Sequence, residues 1–83
     1  MCYYVYILKS VPKAVYYVGH TNNISNRIEK HNKGYNKSTK HGIPWIVIFT
    51  KKFNSKSEAF KEEMRIKNLK SRSGIERYID SNS

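Results

Sequence analysis

The chain has 83 residues, with 16 Lys and Arg against 6 Asp and Glu, a net charge of +10. That length suits one domain with one core, since a chain this short buries only about 60% of its unfolded surface. The lone Cys2 excludes a disulfide framework and a cysteine-rich zinc site, and no stretch approaches the roughly 18 apolar residues of a membrane span.

Residues Tyr3 to Lys9 form an aromatic and β-branched run, apolar on both faces, which predicts an interior strand. Ser10 to Ala14, with Pro12, reads as a turn. Val15 to Gly19 is a second short strand, so the two segments predict a hairpin. His20-Thr21-Asn22-Asn23 suits a helix cap, and Ile24 and Ile28 set one apolar face at i and i+4. The first helix is expected over about 23 to 33 in numbering, with Gly34 as its stop. Residues 35 to 44 are polar and basic, a loop.

Trp45 to Lys52 predicts a third strand, with Trp45, Val47 and Phe49 on one face and Ile46 and Ile48 on the other. Ser55-Lys56-Ser57-Glu58 fits a capping box ahead of a helix that runs to about residue 69 in numbering. Ser73-Gly74-Ile75-Glu76 repeats the signature before a short helix whose apolar face is Ile75, Tyr78 and Ile79. The order is β-β-α-β-α-α, an α/β or α+β sandwich with a mainly antiparallel sheet. No internal repeat or low-complexity segment interrupts it.

The charge excess implies a polyanionic partner: nucleic acid, an acidic membrane surface or an acidic protein. Between His20 and Lys56 lie Arg27, Lys30, Lys33, Lys37, Lys40, Lys51, Lys52 and Lys56, opposed only by Glu29. Such a region neutralises phosphates and binds with strong salt dependence, and Tyr35 and His41 are placed to stack on bases. The bland alternative is a solvated face. Arg27 and His31, at i and i+4, are helix neighbours. One offers a planar fork for phosphate oxygens, the other a proton acceptor near neutral pH; an ordinary polar helix flank has the same spacing.

On the second long helix, Ala59, Phe60, Met64, Ile66 and Leu69 span one broad arc at about 100° per residue. Glu63 falls within that arc. A carboxylate there needs either an ion pair, which Lys67 at i+4 offers, or a metal ion. Glu62 lies off the arc and reads as a surface acid. Five of the seven tyrosines fall in the first 17 positions. Tyr4 and Tyr6 share a strand face and Tyr17 is predicted beside it. Each is either half-buried core or a hydroxyl for proton transfer.

Tyr4-Val5-Tyr6, then Tyr17-Val18-Gly19, then Arg27 and His31 on the following helix and Glu63 on a later one, resemble the GIY-YIG nuclease superfamily. The chain is similar, over nearly its whole length, to the small stand-alone bacterial members. The first motif departs from the family pattern, with Tyr4 and Val5 in place of Gly and Ile. The resemblance implies a three-stranded antiparallel sheet flanked by about three helices, one such domain over residues 1–83, and metal-dependent phosphodiester hydrolysis. Its expected substrate is DNA, with RNA also admitted, and structure-specific cleavage in repair or recombination is the implied use.

Carried over residue by residue, Tyr6 and Tyr17 close and open the two motifs, and one tyrosine helps deprotonate the attacking water. Gly19 permits close approach. Arg27 stabilises charge on the phosphate, and His31 has a supporting acid or base role. Glu63 is the sole protein ligand to one Mg²⁺ or Mn²⁺. His20, where some relatives have Lys, touches phosphate, together with Lys30, Lys33, Lys37 and Lys40. A nucleic-acid-binding module without catalysis is the competing expectation, as is a subunit whose specificity or activity comes from a protein partner. The start Met1-Cys2-Tyr3-Tyr4 lacks a signal-peptide pattern, so a cytoplasmic location is expected.

Overall fold

The computed structural model describes residues 2–82. Three strands, β1 (Tyr3–Ser10), β2 (Tyr16–Thr21) and β3 (Trp45–Phe53), form one antiparallel sheet in the order β2-β1-β3. Three helices, α1 (Ile24–Asn32), α2 (Lys56–Lys67) and α3 (Arg72–Asn82), complete the expected β-β-α-β-α-α order of an α+β fold. No helix among the described residues is long and apolar enough to cross a membrane.

The central place of β1 follows from its sequence, because only an interior strand buries both faces. Val5 and Ile7 point to one face with Val18, Phe49, Ala59 and Ile66. Tyr6 and Leu8 point to the other with Trp45, covered by Ile24 and Ile28 of α1. The molecule is thus three layers, with α1 on one side of the sheet and α2 with α3 on the other. Tyr3 and Tyr16 pack against the α2 face, and Ile75, Tyr78 and Ile79 of α3 complete it.

The caps explain where the helices begin and end. Asn23 accepts from the Asn26 backbone N–H at 3.0 Å and starts α1. Gly34, at φ +80°, closes it, with its own N–H donating to the His31 carbonyl and that of Tyr35 to the Lys30 carbonyl. Ser55 starts α2 by accepting from the Glu58 N–H at 3.2 Å. The third cap differs from expectation: Ser71, not Ser73, accepts from the Gly74 N–H at 3.0 Å. With the cap at Ser71, Glu76 lies two residues beyond the box position, and its carboxylate accepts from the Tyr16 hydroxyl at 2.7 Å. The loop after α1 also contains a short 3-10 turn, Lys40–Gly42.

Two expectations about side-chain facing are corrected. Trp45 and Phe49 do not share a face. Ile7 pairs with Phe49 but Leu8 with Val47, so Ile48 is an extra residue in β3. This bulge reverses the alternation. Trp45 therefore packs with Leu8 on the α1 side and Phe49 with Ile7 on the α2 side.

On α2 the buried stripe is Ala59, Glu62, Glu63 and Ile66, whereas Phe60, Met64 and Leu69 are 40 to 49% exposed. Glu62 is not a surface acid. Tyr78 of α3 covers it and donates its hydroxyl to the carboxylate, and Arg65 lies 3.4 Å away. Burial and that bond both push the Tyr78 hydroxyl far above its usual pKa. Because a buried carboxylate robbed of a donor keeps its desolvation cost, Tyr78→Phe should lower stability by about 1–3 kcal/mol. Urea unfolding measures this, and an unchanged midpoint would show that Glu62 is satisfied without Tyr78, by Arg65, Lys51 and water.

Candidate active site

The pairing of β1 with β2 sets Tyr6 directly opposite Gly19. The Tyr6 ring crosses the space above that glycine. A Cβ on Gly19 would stand 2.5 Å from the Tyr6 hydroxyl oxygen and 2.6 Å from the ring carbon bearing it. The close approach that Gly19 permits is therefore that of Tyr6. Tyr17, one pleat along the same face of β2, lies with its ring centre 6.4 Å from that of Tyr6.

Helix α1 brings His31 against both tyrosines. Its Nε2 lies 3.2 Å from the Tyr6 hydroxyl, and Tyr17 meets its ring edge-on at 4.9 Å. On the other side, Nδ1 is 2.8 Å from the Thr39 hydroxyl, which itself donates to the Asn36 carbonyl. A hydroxyl that donates to a carbonyl accepts from the imidazole, so the network assigns the proton to Nδ1. Nε2 is then an acceptor, and the Tyr6 O–H donates to it. His31 is 1% exposed. Burial first, then the nearby Arg27 charge, hold its pKa below the ordinary 6.5. Tyr6 is pushed up to about 12, mainly by burial, then by Tyr17, while Arg27 pulls it down and Glu63 adds to the rise.

Arg27 is exposed and joins two clefts. One is lined by Lys30, His31, Tyr35, Asn36 and Lys37, the other by Tyr3, His20, Thr21, Asn22 and Lys56. Glu63 reaches the β2 edge from α2. Its Oε1 lies 2.5 Å from His20 Nδ1 and its Oε2 2.6 Å from Lys67 Nζ. The i+4 ion pair foreseen for Glu63 is thus present, and His20 faces this carboxylate. Among the described residues no three His, Cys, Asp or Glu side chains gather as a metal cage. The donor set still fits a hard divalent ion held by one carboxylate, since Mg²⁺ keeps several waters and takes phosphate oxygens.

The fold therefore gathers Tyr6, Tyr17, Arg27 and His31, with Glu63 close enough to act on the Tyr6 hydroxyl. The basic residues divide. Lys30 and Lys37 line the Arg27 cleft, Lys40 stands exposed on the 3-10 turn, and Lys33 pairs with Glu29 at 2.6 Å. Two further residues support the site without any periodic signal. Thr39, buried in a polar loop, fixes the His31 ring and accepts from Trp45 Nε1 through its carbonyl at 2.7 Å. Asn32 bonds both the N–H and the carbonyl of Trp45, fastening α1 to the end of β3.

Residues 2–78 match the model of the GIY-YIG catalytic domain. The chain belongs to the GIY-YIG family, a superfamily of nucleases. It is 44% identical over 68 residues to a UPF0213 protein of Oceanobacillus iheyensis, covering 81% of this chain and 78% of that one. A UPF0213 protein of the archaeon Halobacterium salinarum is 37% identical, over 81% of this chain and 87% of its own length. The solution NMR structure of a UPF0213 protein from Bacillus halodurans superposes with a TM-score of 0.61 at 36% identity, covering 96% of this chain and 84% of that one.

Two outcomes follow from the geometry. Gly19→Ala should cost about 1–3 kcal/mol by overpacking against Tyr6, read from the urea midpoint; an unchanged midpoint would mean the ring moves freely aside. His31 binds its proton less readily folded than unfolded. The unfolded chain therefore takes up more protons as pH falls through 6.5, and stability should drop towards acid. His31→Gln should show a smaller fall in Tm between about pH 7 and pH 5, and an equal fall would place the acid sensitivity elsewhere.

Proposed function

We propose that this GIY-YIG domain is a metal-dependent nuclease that hydrolyses phosphodiester bonds in DNA. The observation that carries the reading is the Tyr6 hydroxyl, directed at His31 Nε2 with the charges of Arg27 and Glu63 within electrostatic reach. With a pKa near 12, Tyr6 stays protonated at neutral pH and is a poor base alone. Its donated bond changes that. As the phenol oxygen takes a proton from an attacking water, its own proton passes to His31 Nε2, which burial keeps unprotonated and ready.

The exposed Arg27 guanidinium offers a planar fork to the phosphate oxygens at the mouth of the same cleft, where charge grows as the fifth oxygen approaches phosphorus. Lys30 and Lys37 extend the positive lining along the backbone path. Tyr17 closes the side of the pocket against Trp45, limiting water around His31. Glu63 would hold the divalent ion, Mg²⁺ or Mn²⁺. When bound, the ion supplies Lewis-acid charge to the phosphate and leaving oxygen. Structure-specific targets arising in repair or recombination suit a small domain whose basic face is local.

A second reading, a nucleic-acid-binding module without cleavage, draws on one observation: both Glu63 oxygens are already engaged, by His20 and Lys67. The two readings separate in one assay. Purified protein with Mg²⁺ or Mn²⁺ is offered labelled single-stranded, duplex, flap and branched DNA, with RNA alongside. Arg27→Ala and Glu63→Ala should each slow cleavage about a hundredfold or more, as loss of a charge stabiliser does. Glu63→Ala should leave salt-sensitive binding in place. Cleavage that survives Glu63→Ala undiminished would reject the nuclease reading, and binding with no cleavage of any substrate would favour the module.

A further inference from the structure

Tyr35 has no part in the proposed chemistry, yet it lines the same cleft as Arg27 and His31. It follows the stop of α1 and is 72% exposed, more than any other large apolar side chain described. Its backbone is fixed on both sides. Gly34 turns the chain at φ +80°, and the Tyr35 N–H donates to the Lys30 carbonyl at 3.2 Å. Beyond it, Asn36 Oδ1 accepts from the Ser38 N–H and hydroxyl, and the Asn36 carbonyl accepts from Thr39. The ring therefore stands open to solvent on a bonded turn. One exposed aromatic side chain alone would mean little. Its neighbours give this one a role. Arg27, Lys30 and Lys37 line the same cleft of about 300 Å³, and no carboxylate among the described residues lines it. His41, the other ring of this loop, sits on the 3-10 turn and lines neither of the clefts that Arg27 joins.

We infer that Tyr35 and the cations of this cleft form a subsite for one unpaired nucleobase beside the phosphate that is cleaved. This rests on the reading of the protein as a nuclease and specifies the DNA that its Arg27 cleft accepts. Single strands are held by this combination of parts: cations follow the phosphates, and an aromatic face stacks on a base whatever its identity. Inside a duplex both faces of a base are covered by its neighbours, so an exposed ring meets only its edge. Stacking on one aromatic side chain raises affinity about 5- to 100-fold, and drawing a base out of a duplex costs as much or more. Tyr35 alone therefore does not open a base pair. The base must already be free, as in a single strand, a flap or a frayed end.

Tyr35 has a competing role, its hydroxyl donating to a phosphate oxygen. That contact would serve duplex and single strand alike and would be lost in Tyr35→Phe. Stacking survives that substitution. Both differ from the role of Lys37, whose charge displaces counterions. Removing a phosphate-bound lysine reduces the salt slope of binding by about one. Removing a stacked ring lowers affinity and leaves the slope in place.

The test is binding of the full chain, without metal so that no strand is cut, to a labelled oligothymidylate and to a blunt duplex of equal length. Fluorescence anisotropy over a range of salt concentrations gives affinity and slope. Tyr35→Ala should weaken oligothymidylate binding about 5- to 100-fold with the slope unchanged. The ratio of single-strand to duplex affinity should fall by a similar factor. Tyr35→Phe and Tyr35→Trp should keep that ratio within about twofold of the wild type. Lys37→Ala should lower the slope on both DNAs by about one. Circular dichroism checks that each variant is folded. An unchanged ratio in Tyr35→Ala would overturn the subsite and leave the nuclease reading in place. A loss in Tyr35→Phe equal to that in Tyr35→Ala, or a slope that falls with Tyr35→Ala, would mark a phosphate contact and overturn it as well. Wild-type protein that binds neither DNA would overturn the subsite and the nuclease reading together.

Discussion

A single buried imidazole organises this molecule. His31 is enclosed on the inner face of α1, and each ring nitrogen has one partner from a different part of the chain. Nε2 meets Tyr6 in the central strand, and Nδ1 meets Thr39 in the loop that leads into β3. Such a group is costly to enclose unless both nitrogens are satisfied. The satisfied ring therefore ties helix, sheet and loop into one arrangement. Thr39 also receives the Trp45 indole N–H, and Asn32, next to His31, receives the Trp45 backbone. The interactions that orient the proposed proton acceptor are the same ones that seat the third strand.

The second support is steric. Gly19 leaves the space that the Tyr6 hydroxyl fills, so a side-chain-free position in β2 decides where the phenol of β1 points. The ring then reaches the edge of the sheet, where Arg27 and Glu63 both influence it from elements on opposite faces. A three-stranded sheet is thin enough for this. A wider sheet would separate α1 from α2 by additional strands at that edge.

Local signals in the chain carry much of the architecture. The apolar run of β1, the Asn23 and Ser55 caps and the Gly34 stop all act within a few residues, and each appears where spacing places it. The parts that escaped depend on distant partners. Period-two reading put Trp45 and Phe49 on one face because nothing in Trp45–Phe53 announces the extra residue at Ile48. Glu62 read as a surface acid because its cover, Tyr78, comes from another helix. Averaging apolar residues turned the α2 stripe toward Phe60, whereas two of its four buried members are acids. Spacing left Arg27, His31 and Glu63 each with an ordinary alternative, a polar helix flank or an ion pair, and their expected roles came from the family resemblance. Thr39 escaped both, since a threonine in a polar basic loop gives no hint that it will be enclosed.

The bulge in β3 has a consequence for how the chain can vary in length. It lets one strand serve as a splice between two cores, feeding Trp45 to one and Phe49 to the other. Removing Ile48 would regularise the ladder and leave Trp45 and Phe49, then three residues apart, on the opposite faces they now occupy. A length change inside this strand that left the bulge in place would be a change of facing, not only of reach, whereas the exposed turn between β1 and β2 carries no such parity. The two helical layers thus fix the facing of Trp45 and Phe49, and the bulge is what reconciles that facing with four residues of spacing.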